Sequence, residues 1–93
     1  MSKIIPEDIR AEVLRRFPVV DHKIALEILA VFDGSRLMRC AVHFSDGDLE
    51  KLGHALDIAR EDYRDLIFWT EYDKSEKQIW DFNKPFLEAK ISE

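Results

Sequence analysis

Imidazole and carboxylate side chains recur down one side of the segment from Gly47 to Tyr72: His54, Asp57, Glu61 and Asp65, at steps of three, four and four. On a helix that spacing aligns them along the cylinder. Such a row could ligate a divalent cation, because carboxylates on helix faces build the metal sites of bundles. His54, Glu61 and Asp65 could alternatively exchange protons as an acid–base set. A metal needs ligands converging from several helices, however, and the rest of the chain offers few. Lys51, Arg60 and Arg64 also stand close enough along the helix to pair with these acids. The expectation is a solvated charged face with no catalytic residue, no metal and no cofactor. A metal-dependent or acid–base enzyme using His54, Glu61 and Asp65 is the alternative.

Three further groupings invite chemistry. Cys40 and His43 are three apart, but a nucleophilic thiolate must be exposed and its base oriented by a third group. Cys40 lies instead on an apolar stripe with Leu37 and Phe44, the setting of a buried structural cysteine. Asp62-Tyr63-Arg64-Asp65 is the densest polar cluster; with Tyr63 on the apolar seam, its hydroxyl is expected to reach a buried or half-buried partner. Ala30 and Gly34 have the alanine-to-turn-glycine spacing of a helix-turn-helix, with Arg36, Arg39 and His43 on the would-be recognition helix. Asp33 and Ser35 flank that glycine where such units bury apolar side chains, so the match is weak. His22 and His54 have no evident partner, and the chain has no glycine-rich phosphate loop, zinc spacing or serine elbow.

The elements that would carry these residues read as helices. Pro6 with Glu7 and Asp8 opens the first, with acids over the positive end of the dipole. Ile9, Val13, Leu14 and Phe17 form its stripe, and Pro18 ends it. A second follows an Asp21 cap, with Ile24, Ile28, Val31 and Phe32 as its apolar face and Gly34 as its C-terminal cap. Residues 35–45 fit a strand, through Met38, Cys40, Val42 and Phe44, or a helix, through Leu37, Cys40, Ala41 and Phe44. A lone hairpin beside helices would leave open edges, so helix is preferred. Gly47 closes that helix and Asp48 caps a long fourth one. Its seam is Leu49, Leu52, Leu56, Ala59, Tyr63, Leu66 and Thr70, with Gly53 beside it, as a close crossing or a tolerated defect.

The last turns of the long helix hold more apolar surface than one seam can use. Phe68, Trp69 and Tyr72 follow Asp65 at i+3, i+4 and i+7, away from Leu66 and Thr70. A helix apolar on two faces buries both or presents one to something. The tail from Ile79 to Leu87 is irregular yet aromatic, which suits docking better than a free tail. Trp80, Phe82 and Phe86 folding back over that second face is the first expectation; a homodimer, or else a foreign partner or small ligand, is the other way to cover it.

Ninety-three residues, 46% hydrophobic and 35% charged, make one domain with a small core. The net charge of −5 is uneven: +1 over residues 1–45, −6 over 46–81 and zero over 82–93. Such acidity disfavours nonspecific nucleic-acid binding. The N-terminus lacks the pattern of a signal peptide, no apolar run approaches a membrane span, and a single cysteine forms no internal disulfide. These features suggest a cytoplasmic protein.

At Gly47-Asp48-Leu49-Glu50 through Ala59, Asp62-Tyr63-Arg64-Asp65 and Trp69-Thr70-Glu71-Tyr72, the chain resembles short hypothetical bacterial proteins known from genome sequence. The resemblance covers about the central third. It implies a small bacterial cytoplasmic protein and helix over residues 36–45, and it carries over no catalytic or binding residue. The expected object is an all-α domain over residues 1–93: a four-helix bundle with a long fourth helix and a docked aromatic tail, 74–93. Its expected role is a non-enzymatic interaction or regulatory one. Asp65, Phe68, Trp69, Tyr72, Trp80 and Phe82 form the contact surface for a protein partner or a second copy of the chain, and neither nucleic acid nor a membrane is its partner.

Overall fold

The computed structural model describes residues 4–91. Helix α1 (Glu7–Arg16) starts directly after Pro6, with Glu7 and Asp8 in its first turn and Arg15 and Arg16 in its last, so both ends match the helix dipole. It stops at Phe17 in extended conformation, as a residue before proline must. A 3-10 turn (Val19–Asp21) leads into α2 (His22–Leu29), and His22 Nε2 donates to the Phe17 carbonyl at 2.8 Å, tying the corner. Then come α3 (Ser35–Ser45), α4 (Leu49–Glu71) and a single-turn α5 (Phe86–Ala89). The domain is all-α, with no strand among the described residues; only isolated bridges, Tyr72 to Gln78 and Trp80 to Lys90, shape the tail.

Residues 35–45 are helical, and α3 is the buried centre of the bundle. Leu37, Met38, Cys40, Ala41 and Val42 are all buried, and the helix packs mainly along α4. The core adds Ile9, Val13 and Phe17 from α1, Ala25 and Leu29 from α2, and Leu52, Ala55, Ile58 and Leu66 from α4. One expected face shifts by a residue. In α2 the buried line is Ala25, Leu29 and Phe32, whereas Ile24 and Val31 stay exposed. That helix is apolar almost all round, so period alone could not choose its inner face. It also ends at Leu29, before Gly34, through tight bonds from Val31 N to Ile28 O and Phe32 N to Leu29 O. Gly34, at φ 105°, instead precedes the first residue of α3.

The long helix is broken. Asp48 caps its start, with Oδ1 accepting from Glu50 N at 2.9 Å and Lys51 N at 3.3 Å, an arrangement that stabilises by about 1 kcal/mol. At Asp62 the backbone leaves the helical region (φ −156°, ψ 105°). Asp62 Oδ1 then accepts from Arg64 N at 3.0 Å, the bond of a second N-cap. Segments 49–61 and 63–71 are therefore two helices joined at a cap, because aspartate bonds nearby backbone better outside a helix than within it. The break takes Tyr63 off the seam. Tyr63 is 54% exposed rather than buried.

The two glycines of this region behave oppositely. Gly47, at φ 92°, follows the left-handed Asp46 that ends α3, and a Cβ there would collide with the Arg16 carbonyl. It is the site of close approach, where only glycine fits. Gly53 has open space where a side chain would stand. It makes no helix crossing and is a tolerated defect.

Candidate interaction surface

The tail docks, but not where the sequence suggested. Its anchor is Glu71, the last residue of α4, whose side chain is wholly buried. Arg36 of α3 forks onto the carboxylate, Nε to Oε2 at 3.0 Å and Nη2 to Oε1 at 2.8 Å. Gln78 Nε2 donates to Oε1 at 3.0 Å, and the Phe82 amide donates to Oε2 at 3.1 Å. The Glu71 carbonyl accepts from the amides of Ile79 (2.7 Å) and Trp80 (3.1 Å). One residue thus closes α4, pairs with α3 and turns the tail back. Bidentate guanidinium binding plus two neutral donors satisfies a buried carboxylate that would otherwise be expensive to desolvate.

A second arginine of α3 repeats the device one turn on. Arg39, nearly buried, forks onto Asp8 of α1, Nε to Oδ2 at 2.8 Å and Nη2 to Oδ1 at 3.0 Å, while its Nη1 donates to the Phe82 carbonyl at 3.2 Å. Asp8 also accepts from the Phe86 amide at 3.1 Å. The Arg39 guanidinium, helped by that amide, holds the Asp8 carboxyl below its usual range. Phe82 is thereby gripped on both sides of its peptide and fills the core completely. Around it, Trp80 stacks on Phe82 (centroids 5.4 Å), Phe86 meets it edge-on (5.5 Å), and His43 lies 4.6 Å from the Trp80 ring. Burial, then the neighbouring Arg16, pushes the His43 pKa down. Arg16 also sits over the Phe86 ring at 5.4 Å.

Several expectations change on this geometry. Trp80, Phe82 and Phe86 pack against α1 and α3, leaving Phe68 43% and Trp69 58% exposed. Arg36 and Arg39, placed by the helix-turn-helix reading on a recognition face, are committed to internal ion pairs. Cys40 is buried, and burial followed by the nearby Glu71 carboxylate pushes its thiol well above the usual range. His54, Asp57 and Glu61 are exposed along the first segment of α4, and Asp65 is exposed beyond the break. Among the described residues, no group of three or more His, Cys, Asp or Glu is placed to hold a metal ion.

Of the six expected contact residues, Asp65, Phe68, Trp69 and Tyr72 remain together at the end of α4, whereas Phe82 and the half-buried Trp80 belong to the tail cluster. Phe68 and Tyr72 stack at 5.3 Å, the pair standing one turn apart on the helix. With Trp69 they border a shallow hollow edged by Asp73, Lys74 and Glu76. On the other side of Phe68 and Tyr72, a cleft of about 460 Å³ runs past Arg36, Tyr63, Arg64 and Ile67. Tyr63 also lines a further cleft of about 280 Å³, floored by Phe32, Leu37, Leu56 and Ala59 and edged by Val31, Asp33 and Arg60. Sequence reading misses both clefts because it assigns Tyr63 and Val31, both exposed, to inner apolar faces. It misses Glu71 because a lone acid at a helix end gives no sign of its partners; the hint is two arginines, Arg36 and Arg39, flanking the apolar stripe of α3.

Compared with known proteins, the chain matches no family model, no curated protein and no solved structure. No helix among the described residues is long and apolar enough to cross a membrane.

Proposed function

We propose that this chain is a non-enzymatic protein-interaction or regulatory module of the bacterial cytoplasm, working through Phe68, Trp69 and Tyr72 with Asp65 beside them. The observation that carries the reading is the fate of the aromatic tail. A segment rich in aromatic side chains is tied to the end of α4 through Glu71, yet its rings pack with residues of α1 and α3 and leave Phe68 and Trp69 open. Aromatic side chains held on a rigid helix lose little entropy on binding and supply most of the energy at protein interfaces. Asp73 and Glu76, with Lys74 between them, edge the hollow, and Asp65 lies about one helical turn before Phe68; such charges steer and orient a partner more than they add affinity.

The test is Phe68→Ala with Trp69→Ala in the full chain, measured by quantitative capture from a bacterial lysate and by light scattering over a concentration series. The reading expects the thermal midpoint to stay within a few degrees while capture of a defined partner, or self-association, falls at least tenfold. Association that persists in the double variant at full strength contradicts it.

A further inference from the structure

We propose that His43 is a proton-operated contact between helix α1 and the docked tail. Neutral, it takes a hydrogen bond from Arg16 and carries the Trp80 ring. Protonated, it gives up both, and Trp80 turns outward while the Phe82 anchor holds. This contact is independent of the Phe68, Trp69 and Tyr72 surface. Its basis is the nitrogen of His43 that meets α1: Arg16 Nη1 donates to His43 Nδ1 at 3.4 Å. A guanidinium can only donate, so Nδ1 has to be the bare nitrogen of a neutral ring, with the ring proton on Nε2. A second proton would set N–H against N–H and cation against cation. Arg16 has little room to retreat, because Glu12 holds its Nε at 2.8 Å. Two tail rings lie against the imidazole, Trp80 at 4.6 Å and Phe82 at 5.3 Å between centroids. The half-buried imidazole therefore gains a full water shell only by parting from one of them.

Charged neighbours on each side set the sign. From α1, Arg16 opposes a charge on His43, while Glu12 favours one but is already bound to Arg15 and Arg16. Beyond the end of α3, Asp46 also favours it, yet that side chain is 77% exposed and lies 3.5 Å from the same Arg16 Nη1. Arg39, one turn earlier on α3, is committed to Asp8 and the Phe82 carbonyl. On the tail, Lys90 Nζ stands 5.9 Å from the Trp80 centroid, and Asp81 accepts the Asn83 amide. The Trp80 face would attract an imidazolium; burial and the Arg16 charge work against it and hold His43 below its ordinary 6.5. Trp80 is the ring free to leave. Phe82 is fully buried, with its amide on Glu71 and its carbonyl on Arg39. Trp80 is only half-buried, and turning its side chain breaks neither its amide bond to the Glu71 carbonyl nor the bond from Asp81 N to Ala89 O. Opening returns His43 to its ordinary value, so acid favours the open form below that value and pH has no effect above it. If the closed form holds His43 one pH unit lower, the open population grows about tenfold across that span.

The test uses the full chain with Trp69→Phe, which leaves Trp80 as the only tryptophan. Ring-proton resonances of His43 and the rate constant for acrylamide quenching of Trp80 are followed from neutral pH into mild acid. The expected result is a His43 midpoint below 6.5 and a severalfold rise in Trp80 quenching with that same midpoint, while the Phe82 amide stays protected from exchange. His43→Gln, which remains uncharged and can still accept from Arg16, should remove the rise. Arg16→Gln, which keeps a donor without the charge, should move the His43 midpoint upward. A midpoint at 6.5 or above overturns the proposal, because a charge on His43 is then welcome beside Trp80. So does quenching that stays flat while His43 titrates, a rise that survives in His43→Gln, or a midpoint that Arg16→Gln leaves unmoved. Loss of Phe82 protection in step with Trp80 also overturns it, since the whole tail would then be unfolding.

Discussion

Two aromatic clusters of similar composition meet opposite fates in this molecule. Trp80, Phe82 and Phe86 arrive on an irregular tail and are buried or half-buried. Phe68 and Trp69 stand on the last turns of a regular helix, with Tyr72 just past its end, and the first two remain substantially exposed. Apolar content does not separate them. The tail cluster is accompanied by hydrogen-bond partners for its backbone: Asp8 and Glu71 accept the amides of Phe86 and Phe82, and Arg39 donates to the Phe82 carbonyl. An irregular segment can enter a core only when its peptide groups are satisfied, and two arginine–carboxylate pairs arrange that here. The helical cluster has its backbone bonds already and needs no such support, so nothing obliges it to be buried.

The comparison predicts a hierarchy of effects. The largest should follow from ending the chain after Asp73, which removes Phe82 and Ala89 from the core and strips Glu71 of the Gln78 and Phe82 donors. That chain should lack cooperative unfolding by circular dichroism. Phe82→Ala should cost about 3–5 kcal/mol by urea denaturation, as large-to-small core substitutions do. Glu71→Ala, which leaves Arg36 facing a buried vacancy, should cost about 3 kcal/mol or more.

Acid should loosen the tail side. Asp8 is held below its ordinary 3.8 by Arg39 and the Phe86 amide, and burial holds His43 below its ordinary 6.5. Groups with depressed folded values stabilise above their unfolded values, and that contribution is lost as pH falls through the folded ones. Stability should therefore decline from pH 7 downward, first through His43, then below about pH 4 through Asp8. Asp8→Asn should lower stability at neutral pH and flatten the most acidic part of the curve.

Glycine substitutions should give smaller effects of opposite sign. Gly47→Ala, at positive φ against the Arg16 carbonyl, should destabilise by more than about 1 kcal/mol. Gly53→Ala, in open space within a helix, should stabilise by up to about 1 kcal/mol. The smallest effect belongs to the other aromatic cluster: Trp69→Ala should stay within about 0.5 kcal/mol of the parent.

The same contrast marks how far the sequence could be read. Helix periods, the Pro6 and Pro18 boundaries and the Asp48 cap are local, and each is visible within a few residues. The all-α fold followed from them, including the choice of helix for 35–45. The surplus of aromatics at Phe68, Trp69 and Tyr72 was legible for the same reason. The Asp62 break was less so, since a capping aspartate inside a continuous apolar period resembles a charged position on one helix. The tail's destination was not legible at all. It depends on Arg36 meeting Glu71 across 35 positions and on Asp8 meeting the Phe86 amide across 78, and no pattern in one chain records such pairings.

The claim that one aromatic cluster builds the fold while the other is left open can be tested through the two tryptophans, one in each. Acrylamide quenching of fluorescence, in Trp80→Phe and Trp69→Phe variants over a range of protein concentrations, compares them directly. The account predicts strong quenching of Trp69 at every concentration and marked protection of Trp80. Equal protection of the two would mean that the end of α4 is already covered, by the tail or by a second copy, and would contradict the account.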